Sequence, residues 1–576
     1  MFNILGIIST KDPIDTTTLT NNFIHTNVYS NPYLLLKVFD DNSKKQHSFS
    51  ENETNIYIVS AKLHNKKQLA KKINENENIS DSEFIIKLLN NKNEVIVNEI
   101  YGKWIIIKFN KINKHIKVFC DHAGYYSIFF YYHKNMFYFS TDLRLLLTFN
   151  IPRSINKLKI ASLSIGFSGL PSETSYNNIK KVPPANCLEI KNNELTFSSF
   201  WNIPNSKLIY KNKDDYYSNF KYLLDEILKE TVLEENIATT LSSGLDSSFL
   251  TAYIANLFTN KTIYAITATP LKSYKEKPFK YRYGNEFPLA NKLTQMYPNI
   301  IHLSEDSENI SILDSLEKTI LIHNSPVRNA INQFWIQSIF NNSKNLGVKQ
   351  LFISESGNIT ISWPFFTINN SIIDKLKNFL NTNFYFYYSR NIKNFLTFLN
   401  PSFVKEYNFI DYLWLNNYFL KYEKLSENSK RLYYLKKNLS IGYTTWQQKA
   451  NYYDIDVIDP YADPRIINYC FSLPSELFKK ANESRLFVKK LAQNLCPAAI
   501  LNNNKKGLQA ADIEIRILKE KENISKLLKI AQKNDFLNEI FEINHISNKF
   551  EKNLIGYSFF LRFLLITKFV LNETKS

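Results

Sequence analysis

The segment Leu241-Ser242-Ser243-Gly244-Leu245-Asp246-Ser247-Ser248 combines small hydroxyl side chains, one glycine and one carboxylate. A strand that ends in such residues and opens into a helix presents backbone N–H groups and a positive helix end, which together form an anion site. Phosphate is the natural ligand. Asp246 would repel phosphates unless a cation lies between them, and Mg²⁺, which takes one or two carboxylates plus phosphate oxygens, meets that need. Ser242, Ser243, Gly244, Leu245, Asp246 and Ser247 are therefore the expected phosphate loop, with Asp246 on the metal. The plainer reading is a serine-rich turn in which Asp246 caps the helix. No G-K-[ST] follows, so this is not a Walker loop.

Around the loop, 236–241 reads as a buried strand, 242–247 as a turn and 248–258 as a helix. A strand at 262–267, a helix at 286–297 and a strand at 299–303 follow, and strands alternating with helices imply a parallel sheet. The first two hundred residues differ. Short β-branched and aromatic runs at 55–60, 103–109, 116–119 and 136–140, bounded by Asn, Asp or Gly, predict a largely antiparallel β-rich domain. Residues 203–207 read as a connector. Asp214 then stands where it could cap a helix carrying Tyr217, Phe220, Leu224, Ile227 and Leu228 on one face. Beyond position 370 the chain reads mostly as aromatic-rich helix, without repeats.

A chain of 576 residues has material for more than one domain, and 44% hydrophobic with 22% charged residues excludes wholesale disorder. Glycine is scarce, 12 in all, so those that remain are expected to mark positions where the backbone needs one. The net charge of +18 is spread over lysine pairs such as Lys44-Lys45, Lys66-Lys67, Lys436-Lys437 and Lys489-Lys490, which favours a solvated surface over a nucleic-acid footprint. Cys120, Cys187, Cys470 and Cys496 are far apart and form no C-x-x-C pair, as expected of reduced thiols. The first residues lack a basic secretory region, and the apolar segment 557–571 contains Arg562 and Lys568 and is too short to span a bilayer. A soluble cytoplasmic protein, with neither membrane nor nucleic acid as partner, is the expectation.

The loop resembles the pyrophosphate loop of the ATP pyrophosphatases, S-G-G-x-D-S, with Ser243 at the first glycine. Behind a β-rich domain it resembles the asparagine synthetase family, whose first domain is an Ntn-type glutamine amidohydrolase. Ala61-Lys-Leu-His-Asn-Lys-Lys-Gln-Leu69, Tyr101-Gly102, Asp121-His-Ala-Gly124 and Ser140-Thr-Asp142 are similar to landmarks of that domain, and Val182-Pro183-Pro184 and Phe200-Trp201 to its closing segment. Leu351-Phe-Ile-Ser354-Glu355-Ser356-Gly357-Asn358 resembles the second signature, G-E-G-S-D. That likeness implies Glu355 as the group acting on the incoming amine and Asn358 in place of a second Mg²⁺-associated aspartate. Val457-Ile-Asp-Pro-Tyr-Ala-Asp463 resembles the segment that closes the substrate side. In Lys505-Lys506-Gly507-Leu-Gln-Ala-Ala-Asp512, spacing from the glycine matches Lys505 to the family lysine on phosphate and the developing oxyanion, with Lys506 the near alternative. The plainer readings are a helix-capping surface acid for Glu355 and a solvated lysine pair for Lys505.

The resemblance implies an α/β protein. An N-terminal Ntn-type β-rich α+β domain, amidotransferase-like, is expected over 1–205. A parallel-sheet adenine-nucleotide α-hydrolase-like (ATP pyrophosphatase) domain with a helical C-terminal extension is expected over 206–576. Phe2 stands where glutamine-using members carry the cysteine nucleophile, and their arginine motif is not evident between Asn21 and Leu36, so the first domain is expected to release no ammonia. With ATP and Mg²⁺, a peptide or small-molecule carboxylate would be adenylated, giving acyl-AMP and pyrophosphate, and then joined to an amine. Gly357-Asn-Ile-Thr-Ile-Ser-Trp363 and the segment 507–512 look most like the lasso peptide macrocyclases, which implies macrolactam formation and, as partners, a precursor peptide and its leader-processing proteins. An ammonia-dependent asparagine synthetase or a β-lactam synthetase-like enzyme comes next. A tRNA-modifying enzyme with the same loop and an inactive binding protein are the further alternatives.

Overall fold

The computed structural model describes residues 3–14, 28–39, 47–92, 94–204, 207–277, 281–363, 396–415, 427–480 and 483–575. In the first two hundred residues the strands are β1 (Asn3–Ser9), β2 (Val28–Asn31), β3 (Leu34–Phe39), β4 (His47–Glu51), β5 (Asn55–Leu63) and β6 (Gly102–Asn110). Then come β7 (Ile116–Cys120), β8 (Phe129–His133), β9 (Met136–Ser140), β10 (Lys180–Lys181), β11 (Asn186–Lys191) and β12 (Glu194–Ser199). They form two six-stranded sheets, in the orders β10-β8-β9-β1-β3-β2 and β12-β11-β7-β6-β5-β4, and neighbouring strands run antiparallel.

The reason lies in the period-two pattern of side chains. On β6, Ile105, Ile107 and Phe109 meet Ile4, Ile8, Phe137 and Phe139 between the sheets, while Trp104 and Ile106 face Phe84, Ile85 and Leu88 of the helix Asp81–Lys92. On β1, Leu5 and Ile7 turn the other way, into a cluster with Ile160, Leu163 and Phe560. Sheets buried on both faces need continuous apolar strands, which the sequence supplies. The result is a layering of two sheets between helices.

The second half holds β13 (Asn236–Thr240), β14 (Thr262–Ala268), β15 (Arg282–Tyr283), β16 (Ile300–Glu305), β17 (Gln350–Phe352) and β18 (Asp456–Ile458). Five of these make a parallel sheet, β16-β14-β13-β17-β18, while β15 pairs in parallel with Lys506–Gly507. Three local expectations need correction. The helix Asp214–Thr231 starts after Lys213 with no side-chain cap, so Asp214 lies inside the first turn, where its charge faces the positive helix end. Tyr217 is only half-buried, and Tyr216 joins the buried stripe instead. The helix after the loop begins at Leu245, not 248, because the hydroxyls of Ser247 and Ser248 bond back to the carbonyls of Ser242 and Gly244 rather than stopping the helix.

The C-terminal part is helical from Glu427–Tyr453 to Tyr557–Lys575 apart from short strands and turns. No helix among the described residues is long and apolar enough to cross a membrane. Phe2, the 205/206 boundary, residues 364–395 and the 21–27 part of the region 21–36 lie outside the described residues.

One buried polar contact between the two halves lies at the start of β18. Lys103 Nζ donates to Asp456 Oδ1 at 2.5 Å, to Val457 O at 2.7 Å and to Gln447 Oε1 at 3.2 Å, and Lys62 donates to the other Asp456 oxygen. Burial pushes the Asp456 carboxyl up, but the two ammonium groups outweigh it and hold it well below the usual range. A carboxylate so depressed stabilises the fold fully above its unfolded pKa of about 3.9 and loses that contribution as pH falls further. Lys103→Met is expected to cost about 3 kcal/mol at pH 7, measured by urea unfolding, with the difference from wild type shrinking below pH 4.

Candidate active site

In the parallel sheet the chain leaves β13 toward β14 and later returns to β17 on its other side. The carboxyl ends at such a switch point frame a crevice. From β13 the chain passes through Leu241–Gly244 into the helix Leu245–Leu257, capped by Gly244, and from β17 it enters the 3₁₀ turn Glu355–Asn358. Asp246 is therefore not the cap.

The loop is held by its own hydroxyls. Ser242 N–H donates to Ser247 Oγ at 3.1 Å, the two hydroxyls lie 2.8 Å apart, and Gly244 N–H donates to Ser242 Oγ at 3.1 Å. Ser243, standing where the related loops keep glycine, donates from N–H and Oγ to Glu286 Oε1 at 3.1 and 2.8 Å. Its hydroxyl also bonds Tyr283 OH, which accepts from Asn503 Nδ2 at 3.0 Å. The first three loop donors are thus occupied within the chain. The N–H groups of Leu245, Asp246 and Ser247, in the first helical turn, have no intrahelical acceptor and are the donors left for an anion.

Asp246 is buried, and burial pushes its carboxyl up, opposed first by Arg485, then by the Ser362 hydroxyl that donates to Oδ1, then by Lys506. Tyr461 OH holds its backbone carbonyl at 3.2 Å. Gly357 packs directly on Asp246. Among the described residues no group of three or more His, Cys, Asp or Glu side chains could hold a metal alone. One carboxylate and one amide, Asp246 and Asn358, nevertheless suit a hard cation that takes its other ligands from phosphate and water.

Ser242, Ser243, Gly244, Leu245, Asp246, Ser247, Glu355, Asn358 and Lys505 all line one cavity of about 800 Å³. Glu355 is exposed to that cavity, and the protein packed around it pushes its carboxyl up, with Arg328 pulling it down. Lys505 is exposed at the rim, its N–H donating to Asn503 Oδ1 at 3.0 Å. Lys506 is the lysine whose charge acts on Asp246, and its own pKa is lowered, first by burial, then by Arg485 and Arg282. Arg485, Arg282, Glu286 and Tyr283 were not legible as site residues. Arg485 carries a φ of 60°, unusual for a non-glycine residue, and no local motif announces it.

The profile of the glutamine amidotransferase domain matches residues 33–201, and that of asparagine synthase matches residues 446–547. Asparagine synthetase [glutamine-hydrolyzing] 3 of Bacillus subtilis is 21% identical over 502 residues, 79% of this chain and 75% of its own length. Putative asparagine synthetase [glutamine-hydrolyzing] 2 of Methanocaldococcus jannaschii is 26% identical over 232 residues, 39% of this chain and 45% of its own. Among solved structures, B. subtilis glutamine phosphoribosylpyrophosphate amidotransferase aligns over 44% of this chain and 64% of its own, at 11% identity and a TM-score of 0.24. The loop and Glu355 lie outside both matched profiles, whereas Lys505 and Lys506 lie inside the second.

Burial raises the Glu286 carboxyl, against the pull of the Ser243 bonds, and its ionised form would oppose a triphosphate bound at the neighbouring loop. Ionisation grows with pH, so repulsion does too. Glu286→Gln is expected to tighten Mg-ATP binding about tenfold at pH 8, roughly 1.4 kcal/mol of Coulomb repulsion removed, and by less at pH 5. Calorimetric titration at the two pH values checks this, and equal affinities at pH 8 would count against it.

Proposed function

The chain belongs to the asparagine synthetase family, and from that premise we propose that it adenylates a peptide carboxylate and closes the acyl-AMP onto an amine of the same molecule. The coarser statement is that it is an ATP-dependent carbon–nitrogen ligase. The observation that supports the finer reading most is the meeting, in one cavity, of an orphan helix-start donor set at Leu245–Ser247 and a carboxyl with raised pKa at Glu355.

ATP would lie with its phosphates on the first-turn N–H groups, Arg485 and Lys506 facing them and Lys505 at the rim. Mg²⁺, held by Asp246 and Asn358, would neutralise phosphate charge. Attack of the substrate carboxylate on the α-phosphorus expels pyrophosphate. The amine then attacks the acyl carbon, Glu355 takes its proton, and AMP leaves. A peptide α-amine of pKa about 7.7–8.0 needs only a carboxylate base near neutrality, and a raised carboxyl pKa brings that base closer to its task.

Intramolecular ring closure is favoured over glutamine-fed amidation because none of the four cysteines of the chain offers a thiolate. All are buried, with Cys187, Cys470 and Cys496 pushed up to about 12 by burial and Cys120 raised further. Lasso-type macrolactam formation on a precursor peptide delivered by leader-processing proteins is the substrate reading we adopt. An ammonia-dependent asparagine synthetase is the second: both relatives are called asparagine synthetases, although of the glutamine-hydrolyzing kind.

The purified chain with Mg-ATP is to be given either a linear peptide bearing a free N-terminus and an internal acidic side chain, or L-aspartate with ammonium chloride. AMP and pyrophosphate are expected in both readings, and a peptide product lighter by one water selects the first. Formation of ADP would overturn both. Glu355→Gln should lower amide formation by about 10²–10⁴-fold while ATP–pyrophosphate exchange persists, and Asp246→Ala should abolish the exchange itself.

A further inference from the structure

The N-terminal domain contributes no group to the chemistry above, yet one of its side chains bonds the residue that holds the segment carrying Glu355. Asp121 is buried and accepts four backbone N–H groups, from Ala123 at 3.0 Å, Gly124 at 2.7 Å, Tyr125 at 3.2 Å and Tyr126 at 2.9 Å. This nest fixes where Tyr125 leaves the backbone. The Tyr125 ring packs 4.7 Å from that of Tyr443 and lies under Lys103 Nζ, also at 4.7 Å, and its hydroxyl accepts the Asp459 N–H at 3.0 Å.

Asp459 is the junction. Its Oδ2 accepts the N–H of Ser356 at 2.8 Å and the Tyr443 hydroxyl, and its Oδ1 accepts the Tyr461 N–H at 3.0 Å. The Ser356 and Tyr443 hydroxyls are 2.8 Å apart. One carboxylate therefore grips the residue after Glu355 and, through Tyr461, the backbone of Asp246. All of these groups are buried, so each bond lost leaves an unsatisfied partner.

We propose that Tyr125 is a positioning residue for Glu355: through Asp459 and Ser356 the N-terminal domain sets the place of the proposed amine-side base. The inference rests on the reading of Glu355 given above. It assigns that domain a task in the ligase reaction that needs no glutamine hydrolysis.

Hydrogen–deuterium exchange on the full-length chain tests the positioning without any substrate. Tyr125→Phe removes one oxygen and strands the Asp459 N–H; exchange across 354–359 is expected to rise about tenfold, with the helix Leu245–Leu257 unchanged. Asp459→Asn, a second variant of the same shape, should give a similar rise. Unchanged exchange at 354–359, or an equal rise in the helix, overturns the proposal. A kinetic arm with the peptide and aspartate–ammonium probes separates it from the functional reading: Tyr125→Phe should lower kcat with KM for ATP unchanged. If Glu355→Gln keeps full kcat, the functional reading falls, while the exchange result still decides whether Tyr125 holds the segment.

Discussion

The site depends on a close approach that only a missing side chain permits. A Cβ at Gly357 would sit 2.7 Å from the Asp246 Cβ and 2.8 Å from its Cγ, so any other residue would drive the 3₁₀ turn off the helix start. Pairing of Ala238 with Leu351 and of Thr239 with Phe352 brings the ends of β13 and β17 level, and the glycine lets the helix start beyond one strand touch the turn beyond the other. Glu355 and Asn358 share a cavity with the loop 242–247 because of that contact. Gly507 works in the same way against Glu286, whose carboxyl carbon would lie 2.1 Å from an added Cβ. Gly244 does not fit the pattern: its φ is −75° and its added Cβ would meet only Ser242 Oγ, at 3.1 Å. Scarcity of glycine thus marks close packing at two site positions, and at the loop it marks only a helix cap.

Electrostatics add a second constraint. Asp246, Glu286 and Glu355 are all raised by burial, which means that the protein has gathered acids where each disfavours its own charge. Arg485 and Lys506 offset Asp246, and Arg328 offsets Glu355. A bare triphosphate would add to the acid excess at the loop. A cation shared between Asp246 and the phosphates would remove that conflict, so that nucleotide and metal would arrive together.

Legibility in the sequence follows the range of the interaction. Three of the five parallel strands (β13, β14 and β16), the antiparallel domain and the loop were readable because apolar alternation and turn chemistry act over a few residues. The start of the helix at Leu245 was missed because the backward bonds of Ser247 and Ser248 are a property of the folded loop. Arg485, Glu286 and the Tyr125–Asp459 bond escaped for a different reason. Each acts on a partner far along the chain, 334 positions away in the last case, and no local pattern records such a meeting. Lys505 was singled out by resemblance to the family lysine, with Lys506 the near alternative; both line the cavity, and only the fold shows that it is Lys506 whose charge acts on Asp246.

The serines that stand in place of family glycines bear on whether the site is a relic. A residue drifting into a site that no longer matters has no reason to find partners there. Ser243 has its hydroxyl between Tyr283 and Glu286, and Ser356 has its hydroxyl on Tyr443 and its N–H on Asp459. Burying an unpaired hydroxyl costs roughly 1–3 kcal/mol, so these partners had to be present for the substitutions to be tolerated. Tyr283 is in turn held by Asn503, so the accommodation extends to a second layer of side chains. Scarcity of glycine in the chain does not account for the bonded network built around these serines, and that network argues for a site still maintained.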